Sequence, residues 1–259
     1  MDATYDPDLY DFVTPETFFG DVEWYRRKAR DCGGPVLELG AGTGRVALPL
    51  ARDGAQVYAL DAHPGMLALL QRKLANEPKE VQQRVVPIEH DMRTFRVEPR
   101  FALVIAPFRA LLHNLTEDDH LACFQRVREH LRPGGRFAFN VFHPSLEYMA
   151  QHAGALAGVW RWIGTWPRHD GGSILRSEAS RYDTVRRRVH SQVRYEHFGQ
   201  DGVLLRTFLH RLELSYLYPA DVRRLLAAAG FRSVEIAGGF DGRPLAKDTD
   251  EMVVEAAVD

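Results

Sequence analysis

Short continuous apolar runs alternate with stretches whose apolar positions recur every three or four residues. The runs are Val36–Leu39, Gln56–Leu60, Val85–Glu89, Phe101–Ala106 and Arg136–Val141. Runs of that length read as strands buried on both faces of a parallel sheet. Between them lie helical patterns. Residues 46–52 end at Asp53-Gly54. Residues 64–75 place Met66, Leu67, Leu69, Leu70 and Leu74 behind Pro64, a favourable first helical residue. Thr116 precedes Glu117, Asp118 and Asp119, an N-cap with acids in the first turn of a helix over 120–131. That helix ends at Pro133-Gly134-Gly135. Near the end, 219–229 predicts a helix stopped by Gly230, and 232–237 and 251–257 predict two more strands. Strands alternating with helices predict an α/β fold with one parallel sheet.

The pattern changes twice. Residues 1–31 precede the first strand and hold Tyr5, Tyr10, Phe12, Phe18, Phe19, Trp24 and Tyr25. Val22, Tyr25, Arg26 and Ala29 share a face if this part is helical, which reads either as an amphipathic helix packed on the sheet edge or as a lid. The second change spans 145–215. Residues 181–198 and 203–217 alternate like strands around a turn at Gln200-Asp201-Gly202. Val189, Val193 and Tyr195 fall on one face, and Phe208, Leu212, Leu214 and Tyr216 on one face of the partner. This predicts a small antiparallel β insert capping the site. Trp160, Trp162 and Trp166 precede it. Between Arg176 and Arg211 stand eight arginines and four acids. They read either as a solvated strand face or as a surface for an anionic substrate.

The chemistry concentrates after the first run, in Glu38-Leu39-Gly40-Ala41-Gly42-Thr43-Gly44. Glycines between strand and helix allow a sharp turn and close ligand approach. Asp61 ends the second strand, where an acid accepts hydrogen bonds from both hydroxyls of a ribose. The loop has neither dinucleotide glycine spacing nor a P-loop lysine, which argues against a dehydrogenase and against phosphate binding. Glu38 would repel pyrophosphate and attract an ammonium. Ribose plus ammonium without phosphate describes S-adenosylmethionine. Residues beyond a strand's C-terminal end line the crevice of such sheets, which singles out Arg109, His113 and His143. Arg109 and His113 share a face if their segment is helical.

With His90-Asp91-Met92 and Leu131-Arg132-Pro133-Gly134-Gly135 following in order, the chain resembles the class I S-adenosylmethionine-dependent methyltransferases. The resemblance implies a Rossmann-like seven-stranded sheet of order 3-2-1-4-5-7-6 with helices on both faces. It implies a cofactor held by Glu38, Gly40, Ala41, Gly42, Gly44 and Asp61, with Ala62 and Met66 flanking adenine. Asp91 would accept the adenine amino group and the Met92 N–H would donate to the ring. Ala106 would end the strand nearest the reaction centre, and Tyr10 and Tyr25 would belong to a lid over the methionine part. His113 is the candidate base; Arg109 and His143 are candidate substrate contacts. Ala102 stands where relatives usually carry an acid, far from the methyl group. The insert looks most like glycine, amino-sugar and cypemycin-type N-methyltransferases, and the stretch from Glu213 through Gly242 to Pro244 most like the last two. The implied activity is methyl transfer to a nitrogen of a small molecule or peptide end. O-methylation and a non-catalytic cofactor-binding module are the alternatives.

Composition narrows the setting. A length of 259 suits a single domain, 1–259, with the 1–31 lid and the 145–215 insert. A net charge of -2 argues against a nucleic-acid partner. No apolar run approaches the ~20 residues of a membrane span. The acidic first residues lack a signal-peptide core, and Cys32 and Cys123 suggest no disulfide framework, which together predict a cytoplasmic protein. Scattered histidines without ligand spacing predict no metal. Homo-oligomerisation is left open.

Overall fold

The computed structural model describes residues 7–14 and 20–258. Tyr5, Phe18 and Phe19 lie outside the described residues. The chain forms two compact units, one running Pro7–His143 and resuming at Leu217, the other Pro144–Tyr216.

The first unit opens with α1 (Pro7–Val13) and α2 (Val22–Cys32). Then come β1 (Val36–Leu39), α3 (Ala47–Arg52), β2 (Val57–Asp61), α4 (Pro64–Leu74), α5 (Lys79–Gln82) and β3 (Val85–Glu89). β4 (Phe101–Ala106), α6 (Glu117–His130) and β5 (Leu131–Phe142) complete its first pass. A capping box starts α6: the Thr116 hydroxyl accepts from the Asp119 N–H at 3.1 Å, and the Asp119 carboxylate accepts from the Thr116 N–H at 3.1 Å.

The second unit holds α7 (Leu146–Ala150) and a four-stranded antiparallel sheet, β6 (Arg161–Pro167), β7 (Ser173–Asp183), β8 (Arg188–Phe198) and β9 (Leu204–Ser215), in that order. It is larger than the expected hairpin. The expected strand over 181–198 is two strands, because the chain turns at Thr184–Arg187. Asp183 builds that turn without glycine or proline. Its Oδ1 accepts from the N–H groups of Val185 and Arg186 at 3.1 and 2.9 Å, and Arg187 adopts φ 55°. The tryptophan segment, left unassigned by its pattern, is β6. Val189, Val193 and Tyr195 are buried on one face as their alternation predicts. Four of the arginines meet carboxylates within this unit: Arg176–Glu178, Arg186–Asp183, Arg188–Glu213 and Arg194–Glu196.

Back in the first unit, the chain adds α8 (Pro219–Ala228), β10 (Ser233–Ala237) and β11 (Glu251–Ala257). The seven-stranded sheet has the order β3-β2-β1-β4-β5-β11-β10, with β11 antiparallel to both neighbours. Counting only its own strands, this is 3-2-1-4-5-7-6. Val36 pairs with Val57 on one side and Leu103 on the other, which puts β1 in the interior of the sheet, next to the central β4. Residues of α2, α3, α4 and α5 pack on one face with Val36, Val57, Ala59, Leu103, Ile105 and Ala138. On the other face Phe124 of α6 lies 5.8 and 5.9 Å from the rings of Phe137 and Phe139, and Phe231 lies 6.0 Å from Phe137. Among the described residues no helix is long and apolar enough to cross a membrane.

Phe124 is fully buried at the centre of this aromatic layer. Phe124→Ala should lower the unfolding free energy by about 3–5 kcal/mol, the range for deleting a buried ring. Urea titration should show a lower midpoint at an unchanged slope; a midpoint equal to wild type would show that the layer does not carry this packing.

Candidate active site

The site begins where β1 stops. Gly40 and Gly42 both take the left-handed backbone, φ 67° and 56°, for different reasons. A Cβ on Gly40 would lie 2.6 Å from the Cβ of Ala110, so neighbouring packing requires glycine. A Cβ on Gly42 would meet nothing within 4 Å, so that side of the loop is open. Ala41 is buried, its N–H donating to the Leu60 carbonyl at 2.9 Å. Asp61, at the end of β2, holds the loop. Its Oδ2 accepts from the Gly42 N–H at 2.7 Å and its Oδ1 from the His63 N–H at 2.8 Å. Each oxygen keeps acceptor capacity, since a carboxylate offers about four lone-pair sites.

Glu38 sits on the helix-packed face of β1 and is 2 % exposed. Its Oε2 is buried and accepts no hydrogen bond among the described residues. Burial drives its carboxyl well above the ordinary carboxylate range, and the charge of Arg45 pulls it back. Arg45 is itself buried, its guanidinium gripping Asp21 through two bonds of 2.8 and 2.7 Å. Tyr10 of α1 stands in the same field. Burial raises its phenol above the ordinary value, Arg45 opposes this, and Asp11, Glu38 and Asp61 add to it. Asp11 fixes α1 to the loop, accepting from the Thr43 hydroxyl and pairing with Lys73 at 2.7 Å.

The second wall is the exit from β4. Phe108 and Arg109 both have positive φ, 53° and 65°. For residues with a side chain this costs on the order of 1–3 kcal/mol each, so other contacts must hold it. The Phe108 N–H donates to Asn140 Oδ1 at 2.8 Å, and Arg109 pairs with Glu251 at 2.6 Å. Asn140 Nδ2 donates to Glu251 at 2.7 Å, and the Tyr25 hydroxyl donates to Asn140 Oδ1 at 2.9 Å. The Phe108 ring lies under the Arg45 guanidinium, 4.8 Å away, and meets Tyr10 edge-on at 6.3 Å.

The structure brings Tyr10, Glu38, the glycine loop and Asp61 together, and revises several other placements. Tyr25 is fully buried with its hydroxyl committed to Asn140, so it braces the site from inside the core instead of covering it. Arg109 and His113 do not share a helical face: Arg109 precedes a single 3-10 turn, Ala110–His113, in left-handed conformation, and is held by Glu251. Asp91 closes a turn, accepting from the Arg93 N–H at 2.8 Å and from the Arg93 guanidinium at 2.6 Å. That hydrogen bonding holds its carboxyl below the usual range. His143 Nδ1 faces the Asp248 carbonyl at 3.2 Å. Met92 lies near Gly40, its sulfur accepting from Asn114 Nδ2 at 3.5 Å. Met66 is buried in α4, Ala62 is exposed beside Asp61, and Ala106 is fully buried. His113 is exposed on one side, and desolvation by the protein around it lowers its imidazole pKa below the ordinary value, while Asp61 acts in the opposite sense. Sequence reasoning missed Asp21, Arg45, Phe108, Asn140 and Glu251. Asn140 alone carried a signal, as the one amide inside the apolar run Phe137–Phe142.

A family model described as a methyltransferase domain matches residues 36–135, the stretch from β1 to the start of β5. The chain is 26% identical to the cypemycin N-terminal methyltransferase of a Streptomyces species, over 96% of this chain and 97% of that protein. The solved CcbJ methyltransferase of Streptomyces caelestis is 28% identical, covers 97% of this chain and 98% of its own, and superposes with a TM-score of 0.77. The glycopeptide N-methyltransferase MtfA, solved with S-adenosylhomocysteine, is 26% identical over 92% of this chain and 86% of its own, with a TM-score of 0.58.

The buried, incompletely bonded Glu38 should weaken the ligand-free fold at neutral pH. A carboxyl whose pKa is higher in the folded chain binds more protons there, so stability falls as pH rises from the unfolded value toward the folded one. Glu38→Gln removes that loss. Without ligand, the variant should melt above wild type at pH 7, and the gap should shrink as pH is lowered toward about 4.5, the ordinary glutamate range. Equal melting at both pH values would mean that Glu38 is not destabilised by its burial.

Proposed function

We propose that this chain, which belongs to the class I S-adenosylmethionine-dependent methyltransferases, moves the methyl group to a nitrogen of a small molecule or peptide end. The observation that carries the nitrogen reading is its likeness, over nearly the whole of both chains, to an enzyme named for N-terminal methylation of cypemycin. The residues present fit the cofactor. The unanswered oxygen of Glu38 suits an ammonium, the spare acceptor capacity of Asp61 suits ribose hydroxyls, and the open side of Gly42 admits a ligand against the main chain. When bound, S-adenosylmethionine supplies a methyl on a sulfonium that a lone pair displaces.

In this reading the backbone of Gly40, Ala41, Gly42, Gly44 and Ala106 surrounds the cofactor's amino-acid end, and Tyr10 covers it. Ala62, Met66 and Met92 surround the adenine. Asp91 takes part in adenine binding only through the turn it closes with Arg93. The chain's own work is to exclude water and to aim the acceptor lone pair at the methyl carbon. His113 takes the acceptor's proton. Its lowered pKa keeps the imidazole neutral at pH 7, the form that accepts. Arg109, held by Glu251, and His143, held at Nδ1, give the acceptor side its shape. Residues 145–215 select the substrate.

Asp61→Ala should weaken S-adenosylhomocysteine binding by about 2–4 kcal/mol, the loss of two bonds to a charged acceptor. Calorimetric titration reads this directly, and unchanged affinity would remove Asp61 from the ribose.

Incubation with labelled cofactor and a panel of amines, peptides and matched alcohols, read by mass spectrometry, tests the acceptor. Methylated amine is the expected product; product on hydroxyls alone would replace nitrogen by oxygen. On the amine so found, the rate should stay level through about pH 6.5 and fall only below it, because the base is lost on protonation and its pKa lies on the acid side of that value. His113→Ala should lower turnover by roughly 10²–10⁴ with little change in cofactor affinity, and His113→Asn should not restore it. Rescue by Asn would make His113 a positioning residue.

A further inference from the structure

Asn140 joins four separate elements. It lies on β5, fully buried, and its amide orientation is fixed by chemistry. The Phe108 N–H can only donate, so it requires Oδ1; the Glu251 carboxylate can only accept, so it requires Nδ2. Tyr25 of α2 adds a second donor to Oδ1. One amide thus ties α2, the β4 exit and β11 to β5. The tied segment includes Phe108 and Arg109, the consecutive side-chain-bearing residues with positive φ. Arg109 is held by the same glutamate that Asn140 engages, so both strained residues depend on the Asn140–Glu251 pair. The turn carries the Phe108 ring onto Arg45 and Tyr10. Arg45 acts electrostatically on Glu38, and Glu38 on the Tyr10 phenol.

We infer that Asn140 is a positioning residue for the amino-acid end of the cofactor. It acts through the Phe108 turn on the Arg45–Tyr10–Glu38 wall and touches neither cofactor nor acceptor. This rests on the cofactor reading above. It predicts a selective defect, because adenosine is held elsewhere, by Asp61 and the residues around Met66.

The test compares two probes on the full chain by calorimetric titration: S-adenosylhomocysteine, which has the amino-acid end, and 5′-methylthioadenosine, which lacks it. Asn140→Asp keeps an acceptor for Phe108 and Tyr25 but faces the Glu251 carboxylate with a second one. It should weaken S-adenosylhomocysteine about tenfold or more and 5′-methylthioadenosine less than about twofold, since only one wall of the site is disturbed. Adding Glu251→Gln restores a donor opposite the new carboxylate and keeps the net charge. This double variant should recover most of the lost affinity. A circular-dichroism melt confirms that each variant is folded, and if Asn140→Asp is not, Asn140→Ser takes its place with the same two probes. Equal weakening of both probes, or no weakening of either, would overturn the assignment. So would a folded double variant that recovers nothing. Failure of wild type to bind either probe would instead reject the cofactor reading.

Discussion

Holding a carboxylate out of water with one oxygen unanswered is the constraint on which the site depends. Burial raises the Glu38 carboxyl in the packed face of β1, and the nearby positive charge of Arg45 opposes that rise. A buried arginine needs a partner in turn, and Asp21 meets it with two parallel bonds. Asp21 immediately precedes α2, so a charge requirement at the glycine loop fixes where that helix starts. The aromatic face of Phe108 completes the enclosure of Arg45, which extends the same requirement to the exit from β4. In the proposed reading an ammonium is the charge that would answer the free oxygen of Glu38.

Much of this was legible in the chain. Runs such as Val36–Leu39 and Phe101–Ala106 are buried on both faces and show as unbroken apolar segments. The capping box at Thr116 and the loop from Glu38 to Gly44 are local, so spacing alone reveals them. What escaped was either nonlocal or compensated. The turn after Asp183 uses an aspartate side chain and a left-handed arginine in place of glycine, so alternation ran through it unbroken. The left-handed pair Phe108–Arg109 has no glycine to announce it, because Asn140 and Glu251, distant in sequence, hold it. Tyr25 looked like a lid aromatic because spacing gives a helix face but not what the hydroxyl at its end will meet.

The arginines of the second unit illustrate a related point. Counted along the sequence they suggest an anion-binding surface. Placed in the fold, Arg176, Arg188 and Arg194 find carboxylates within their own sheet, and Arg186 in the turn pairs with Asp183. Partly exposed pairs of this kind contribute little stability each. They do cancel field, so arginine count overstates the attraction that the surface exerts at a distance.

The position of β11 bears on how the protein is made. It lies between β5 and β10, inside the sheet, and it carries Glu251, the anchor of both Arg109 and Asn140. A ribosome delivers residues 251–257 after every other strand described. Until then β5 has an open edge where β11 will pair, and the turn after β4 lacks its counter-charge. The glycine loop, α3 and the first four strands draw on neighbouring sequence, whereas the Asn140–Glu251 brace of the Phe108 turn waits for the last strand. The brace is therefore completed only with the last strand, and an exposed strand edge persists until then.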